Sequence, residues 1–176
     1  RDADDILNFM DALDLNRVHL MGYSDGGETA LRMAGKQAAR FRSVTVWGAV
    51  GYFGAQMRPA AQALFPGNWI TEEEQRIHSI DRPDVFILKW IKAVHQMIDS
   101  GGDISLSMAS QMTMPLLMIL GKQDTLNPAS YAQRLIEQAP DARLEIFDCG
   151  HGVHTEATEV FQKIVSLFLA SNRPKG

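Results

Sequence analysis

Apolar and polar residues follow two different rhythms along this chain, and the places where the rhythm changes mark its elements. Over residues 2–14, Ala3, Ile6, Leu7, Met10 and Leu13 recur at helical spacing behind an acidic start, which predicts an amphipathic helix with these side chains inward. Arg17-Val18-His19-Leu20-Met21 opens a predicted buried strand over 17–22. A helix is expected over 25–39, with Ala30, Met33, Ala34 and Ala38 on a face small enough to lie close to a sheet. Ser43-Val44-Thr45-Val46-Trp47 reads as the next strand. Strand, helix, strand in this order argues for a parallel sheet with helical crossovers.

Between Gly51 and Gln111 no convincing strand occurs, and helical segments are expected over 55–64, 71–79 and 83–99, punctuated by Pro59, Pro66 and Pro83. The expected organisation is a core segment over 1–50, an inserted helical cap over 51–111 and a second core segment over 112–176. Trp69, Phe86, Trp90, Ile91 and Val94 offer apolar surface either to cover a pocket or to pack within the cap. The first rhythm resumes with a strand over 115–120, a helix over 128–139 and a strand over 143–147. A last helix over 156–170 is expected to turn Val160, Phe161, Ile164, Val165 and Phe168 inward. The fold class is α/β.

Composition narrows the function classes. The 176 residues, 45% hydrophobic, suffice for the core of an ordinary domain. A net charge of −4 without any block of basic residues points away from nucleic acid and from an anionic membrane surface. The single cysteine, Cys149, rules out an internal disulfide framework and a cysteine-based zinc site, and fits a reducing compartment. The apolar run from Met114 to Leu120 falls well short of the roughly 20 residues that span a bilayer. A soluble, cytoplasmic protein is expected, with no cofactor and no metal.

The chemistry concentrates where predicted strands end. Gly22-Tyr23-Ser24-Asp25-Gly26-Gly27 sits between a strand and a helix, the context that a G-x-S-x-G nucleophile elbow requires. In such an elbow the serine is held in a strained backbone conformation, and Gly22 and Gly26 supply the small flanking positions. Ser24 is the candidate nucleophile, and the backbone N–H of Asp25 is the candidate oxyanion donor. The plainer reading makes Ser24 the N-cap of a helix.

Asp124 follows the strand at 115–120 and His151 follows the strand at 143–147, so both fall in loops at the carboxyl ends of strands, where open α/β sheets gather functional groups. His151 would take the Ser24 proton and Asp124 would orient the imidazole. His154 is the competing base. Asp148 reads as a turn residue, and His19, His78 and His95 as structural or solvated. Asp25 reads either as an acid suited to a helix start or as a pocket carboxylate attracting an ammonium or guanidinium group.

At these residues the chain resembles the α/β-hydrolase superfamily, in the order Ser, Asp, His. Its Gly-Tyr-Ser-Asp-Gly-Gly elbow is similar to that of the biphenyl hydrolase-like proteins, the valacyclovir hydrolase group. The similarity also covers Arg1-Asp2-Ala3, Val46-Trp47-Gly48-Ala49, Gly121-Lys122-Gln123-Asp124 and Gly150-His151. It implies a cofactor-independent serine hydrolase acting on a small-molecule ester or related acyl substrate, with Asp25 receiving the amino group of amino-acid esters. Trp47, at its strand end, is the second substrate-binding candidate. Amide, thioester or carbon–carbon bond hydrolysis is the enzymatic alternative, and a non-catalytic binding module of the same fold is the other. Complete members carry further strands before the helix at 2–14, so an N-terminal part is expected to be missing here. The strand at 17–22 would then expose an unpaired edge, available to that missing segment or to a second copy.

Overall fold

A computed structural model describes residues 2–173, which form two compact units. The first, built from the chain up to Tyr52 and again from Ile104, holds a four-stranded parallel sheet in the order β1-β2-β3-β4. Its strands are β1 (Val18–Tyr23), β2 (Phe41–Trp47), β3 (Leu116–Gly121) and β4 (Ala142–Phe147). Around them lie α1 (Asp2–Ala12), α2 (Asp25–Lys36), α6 (Ala129–Ile136), α7 (Val153–Glu156) and α8 (Thr158–Ser171). The second unit, Phe53–Asp103, contains α3 (Met57–Ala63), α4 (Glu72–His78) and α5 (Pro83–Asp99).

β3 explains why the sheet needs helices on both faces. Every one of its residues is buried, and successive side chains point to opposite sides. Leu117 and Ile119 pack with Phe147, Cys149 and Val153 and with Phe161, Val165 and Phe168 of α8. Leu116, Met118 and Leu120 face the other way and are equally buried. α2 packs against β1 and β2 with Ala30, Met33 and Ala34 inward. Its Gly35 lets the short 3₁₀ turn Leu106–Gln111 approach, since a Cβ there would lie 2.6 Å from the Met108 Cβ.

Several elements differ from the expectations for physical reasons. α1 stops at Ala12, and only Ala3, Leu7 and Met10 are buried; Ile6 and Leu13 are 41% and 54% exposed. Helical spacing marks an apolar side of α1 but does not say which stripe of it α2 covers. β1 is an edge strand and only half-buried, not the buried strand that its apolar sequence predicts. α2 ends at Lys36, so Ala38 falls in a separate 3₁₀ turn, Ala38–Arg40. The helix expected over 156–170 is α8, beginning at Thr158, with the short α7 before it and with Val160 exposed and Ile164 partly buried. Ile104–Gln111 lies with the first unit and not with the helical segments before it.

Within the second unit, Thr71 and Glu74 cap α4 reciprocally, the Thr71 Oγ1 accepting from the Glu74 N–H and the Glu74 carboxylate from the Thr71 N–H. Ile70, Ile87 and Ile91 form its core with Leu64, Ile80 and Trp90 packed against them. Ile91 and Val94 are thus buried, while Trp69 and Phe86 are exposed. Among the described residues, no helix is long and apolar enough to cross a membrane.

Two glycines make opposite predictions for stability. A Cβ on Gly121 would fall 1.9 Å from the Gly150 carbonyl oxygen and 2.5 Å from that of Cys149, both backbone atoms. Gly121→Ala should therefore lower unfolding free energy by about 2 kcal/mol or more in chemical denaturation. A Cβ on Gly26, early in α2, would meet nothing within 4 Å, so Gly26→Ala should leave stability unchanged or raise it by up to about 1 kcal/mol.

Candidate active site

The chain enters α2 from β1 through one residue, Ser24, whose backbone lies at φ 53° and ψ −123°. That left-handed φ is uncommon for a residue with a Cβ, so neighbouring contacts must hold it. The Ser24 N–H donates to the Trp47 carbonyl at 2.9 Å, and the Ser24 carbonyl accepts from Gly27 and Glu28 at 2.8 and 3.0 Å. Ser24 stands at the N-cap position of α2, but its side chain makes no capping hydrogen bond. Gly22 is required as expected, because a Cβ would sit 2.3 Å from the Gly26 carbonyl oxygen. The second close approach belongs to Gly27, not Gly26: a Cβ on Gly27 would meet the Ala49 Cβ at 2.7 Å, and one on Gly26 would meet nothing.

His151 reaches this serine from the loop after β4. Its Nε2 lies 3.0 Å from Ser24 Oγ, and its Nδ1 lies 2.7 Å from Asp124 Oδ2. Asp124, in the loop after β3, is deeply enclosed, with a side chain 1% exposed. Burial opposes its ionisation, but the hydrogen bond and charge of His151 and the backbone and side-chain N–H groups of Asn127 outweigh it. The carboxyl is held below its ordinary range, and an ionised carboxylate can only accept. The Nδ1 atom of His151 must then carry the proton, leaving the Nε2 lone pair for the Ser24 hydroxyl. The structure brings Ser24, Asp124 and His151 together in hydrogen-bonded sequence.

Side chains that sequence reasoning passed over hold these three in place. Asp124 Oδ1 accepts the Leu126 and Asn127 N–H groups, both at 3.0 Å, and the Asn127 amide donates to Oδ2 at 3.2 Å. Glu156 straddles the histidine loop, its two oxygens accepting Gly150 N–H at 2.8 Å and Gly152 N–H at 2.9 Å. Tyr23 places its ring 5.1 Å from the His151 ring. Burial, then the negative charges of Asp124 and Glu156, push its phenol above the usual value and keep it protonated at neutral pH. Asn127 is readable only as one of several polar loop residues, while Glu156 carries a faint signal as an acid shortly after Gly-His-Gly.

The other histidines have different partners. His154 Nδ1 accepts from the Trp47 indole N–H at 3.1 Å, and its ring stands edge-on to Tyr23 at 4.6 Å. Trp47 is therefore engaged with His154, Tyr23 and Phe161 at the end of β2. His19 is paired with the Ser43 hydroxyl at 2.7 Å. Asp148 accepts from the Gln123 amide at 2.7 Å. Asp25 is exposed at the start of α2, adjacent to Ser24, with its N–H in the first helical turn, where amides lack intrahelical acceptors. Among the described residues, no three His, Cys, Asp or Glu side chains gather to hold a metal ion.

The chain is 28% identical to the serine hydrolase BPHL of Mus musculus and 27% identical to that of Homo sapiens, each over 96% of its length. It spans 60% of the length of those two relatives. A solved meta-cleavage product hydrolase from Pseudomonas fluorescens IP01 superposes with a TM-score of 0.70 at 23% identity, over 97% of this chain and 71% of that one. The model of the alpha/beta hydrolase family matches residues 1–163, and the chain belongs to that family.

Proposed function

We propose that the chain carries the site of a serine hydrolase that cleaves small esters through an acyl-enzyme on Ser24. The observation that carries this reading is the continuous bridge from Ser24 Oγ through His151 to Asp124, at 3.0 and 2.7 Å. His151 Nε2 takes the hydroxyl proton as Ser24 Oγ bonds to the acyl carbon, and the imidazolium returns that proton to the departing alkoxide. Water then attacks the acyl-enzyme by the same exchange and releases the acid. Asp124 keeps the tautomer in place and offsets the charge on His151 throughout. The Asp25 N–H, opening α2, is the oxyanion donor.

The decisive experiment is intact-mass measurement after treatment with a fluorophosphonate. An adduct of one phosphonyl group that disappears in Ser24→Ala is expected. A chain that stays unlabelled, also when supplied within a longer protein, would instead support a non-catalytic module. Esters, amides, thioesters and carbon–carbon substrates compared side by side then assign the bond.

The substrate proposal is an amine-bearing ester, supported by the exposed Asp25 carboxylate one residue from Ser24. Trp47, beside Tyr23, would wall the acyl site. Asp25→Asn should reduce the kcat/KM preference for a free-amine ester over its N-acylated counterpart by about two- to fivefold, the scale of an exposed ion pair. An unchanged preference would remove the amine role.

The partner proposal is association along β1, with a second copy or a further segment of polypeptide. Its outer edge is unpaired among the described residues, and the segment before it exposes Ile6, Phe9 and Leu13. Light scattering across a concentration series should show a mass above that of the monomer. A constant monomer mass would count against it.

A further inference from the structure

We infer that Glu28 is the positioning residue through which the elbow helix α2 holds both stems of the helical unit. The chain leaves the first unit by Val50–Tyr52 and returns by Ile104–Leu106. Glu28 Oε1 accepts the Val50 N–H at 2.7 Å and the Gly51 N–H at 3.2 Å, and Oε2 accepts the Gly51 N–H at 3.0 Å. The Gly51 carbonyl in turn accepts the N–H groups of Ile104, Ser105 and Leu106 at 3.2, 3.0 and 3.2 Å. Arg32, one turn further along α2, donates from Nη1 to the Ile104 carbonyl at 2.9 Å. Outgoing and returning stems are thus tied to each other and to one helix.

The same residue is tied to the site. The Glu28 N–H donates to the Ser24 carbonyl at 3.0 Å, so its backbone holds the elbow while its side chain holds the turn after β2. That turn begins at Gly48, at φ +61°, where a Cβ would lie 2.8 Å from His151 Cε1. It ends at Gly51, at φ +72°, where a Cβ would lie 2.5 Å from Leu135 Cδ1 and 2.8 Å from Ser105 Oγ. The segment is closely packed at both glycines, and at Gly48 it lies against the His151 imidazole. Its consequence for the chemistry rests on the hydrolase reading, while the tie itself does not.

A buried carboxylate is an unusual choice for a peg, because the charge loses its hydration. Burial pushes the Glu28 carboxyl from 4.5 up to about 7, the Val50 and Gly51 amides oppose this, and Asp25 adds to it. The residues it bonds, Val50 and Gly51, carry no ionisable side chain. Of the nearby cations, Arg32 is engaged with Ile104, and Arg134 of α6 lies over the Tyr52 ring at 4.0 Å. Asp103 precedes the returning stem. Since the enclosed carboxyl binds its proton more tightly than a solvated one, protonation favours the closed tie and ionisation favours its opening. The tie is firmest below 4.5 and weakens as pH rises towards 7. When protonated, Glu28 still offers Oε1 to both amides.

Hydrogen exchange of peptides covering 49–53 and 103–107, corrected for the intrinsic pH dependence, tests this without any substrate. Wild-type protection should fall about tenfold or more between pH 5 and pH 7, and Glu28→Gln should remove that slope. Arg32→Met, which spares the peg, should loosen 103–107 and keep the slope at 49–53. Protection flat with pH in the wild type, or an equal slope in Glu28→Gln, would overturn the assignment. In the kinetic arm, Glu28→Gln should lower kcat several-fold with KM little changed. An enzyme inactive towards every ester would sink the hydrolase reading and leave the exchange result standing.

Discussion

The site depends on one strained residue. Ser24 sits at φ 53° because the β1 backbone must turn into α2 without a loop, a conformation uncommon for a residue with a Cβ. Three backbone hydrogen bonds and two tight glycine packings hold it, one of each reaching the β2 side of the sheet: Ser24 N–H to Trp47 O, and Gly27 against Ala49. The strain is therefore carried by β2 as well as by the elbow itself. This geometry leaves the serine hydroxyl without a helical partner and available to His151.

The legible features were those written within a few neighbouring residues. An apolar run ending in a glycine-flanked serine, and polar loops after β3 and β4, lie in order along the chain, so the convergence of Ser24, Asp124 and His151 follows from a parallel sheet. Features that depend on what covers what were not legible. Ile6 and Val160 occupy apolar helix positions as regular as those of Leu7 and Phe161, yet they remain exposed. Gly26 stands inside the motif, but Gly27 faces Ala49, and only the packing of α2 on the sheet decides that. Glu28, in the first turn of α2, reads as an acid suited to a helix start, and its burial comes from the turn after β2 folding onto it.

The three loops at the carboxyl end of the sheet share one device. After β2, Glu28 collects the amides of Val50 and Gly51; after β3, Asp124 collects those of Leu126 and Asn127; after β4, Glu156 collects those of Gly150 and Gly152. Backbone pairing reaches only a little past the strands, as where the Gln123 N–H donates to the Cys149 carbonyl, and loop N–H groups beyond it need other acceptors. A carboxylate has two oxygens and can fix two successive or nearly successive amides, which sets both the position and the direction of the loop.

Burial alone does not decide what such a carboxyl becomes. Glu28 and Asp124 are both buried and both accept two backbone amides, yet their proton affinities move in opposite directions. The difference is the third partner. Asp124 faces an imidazole that can become a cation, and this together with the Asn127 donors outweighs the lost hydration; Glu28 faces only amides, with Asp25 raising it further. One enclosed acid is thereby kept ionised to serve His151, and the other is left near neutrality, where a modest change in pH alters its charge. The sheet places both within reach of the same serine, Glu28 through its own backbone and Asp124 through the histidine.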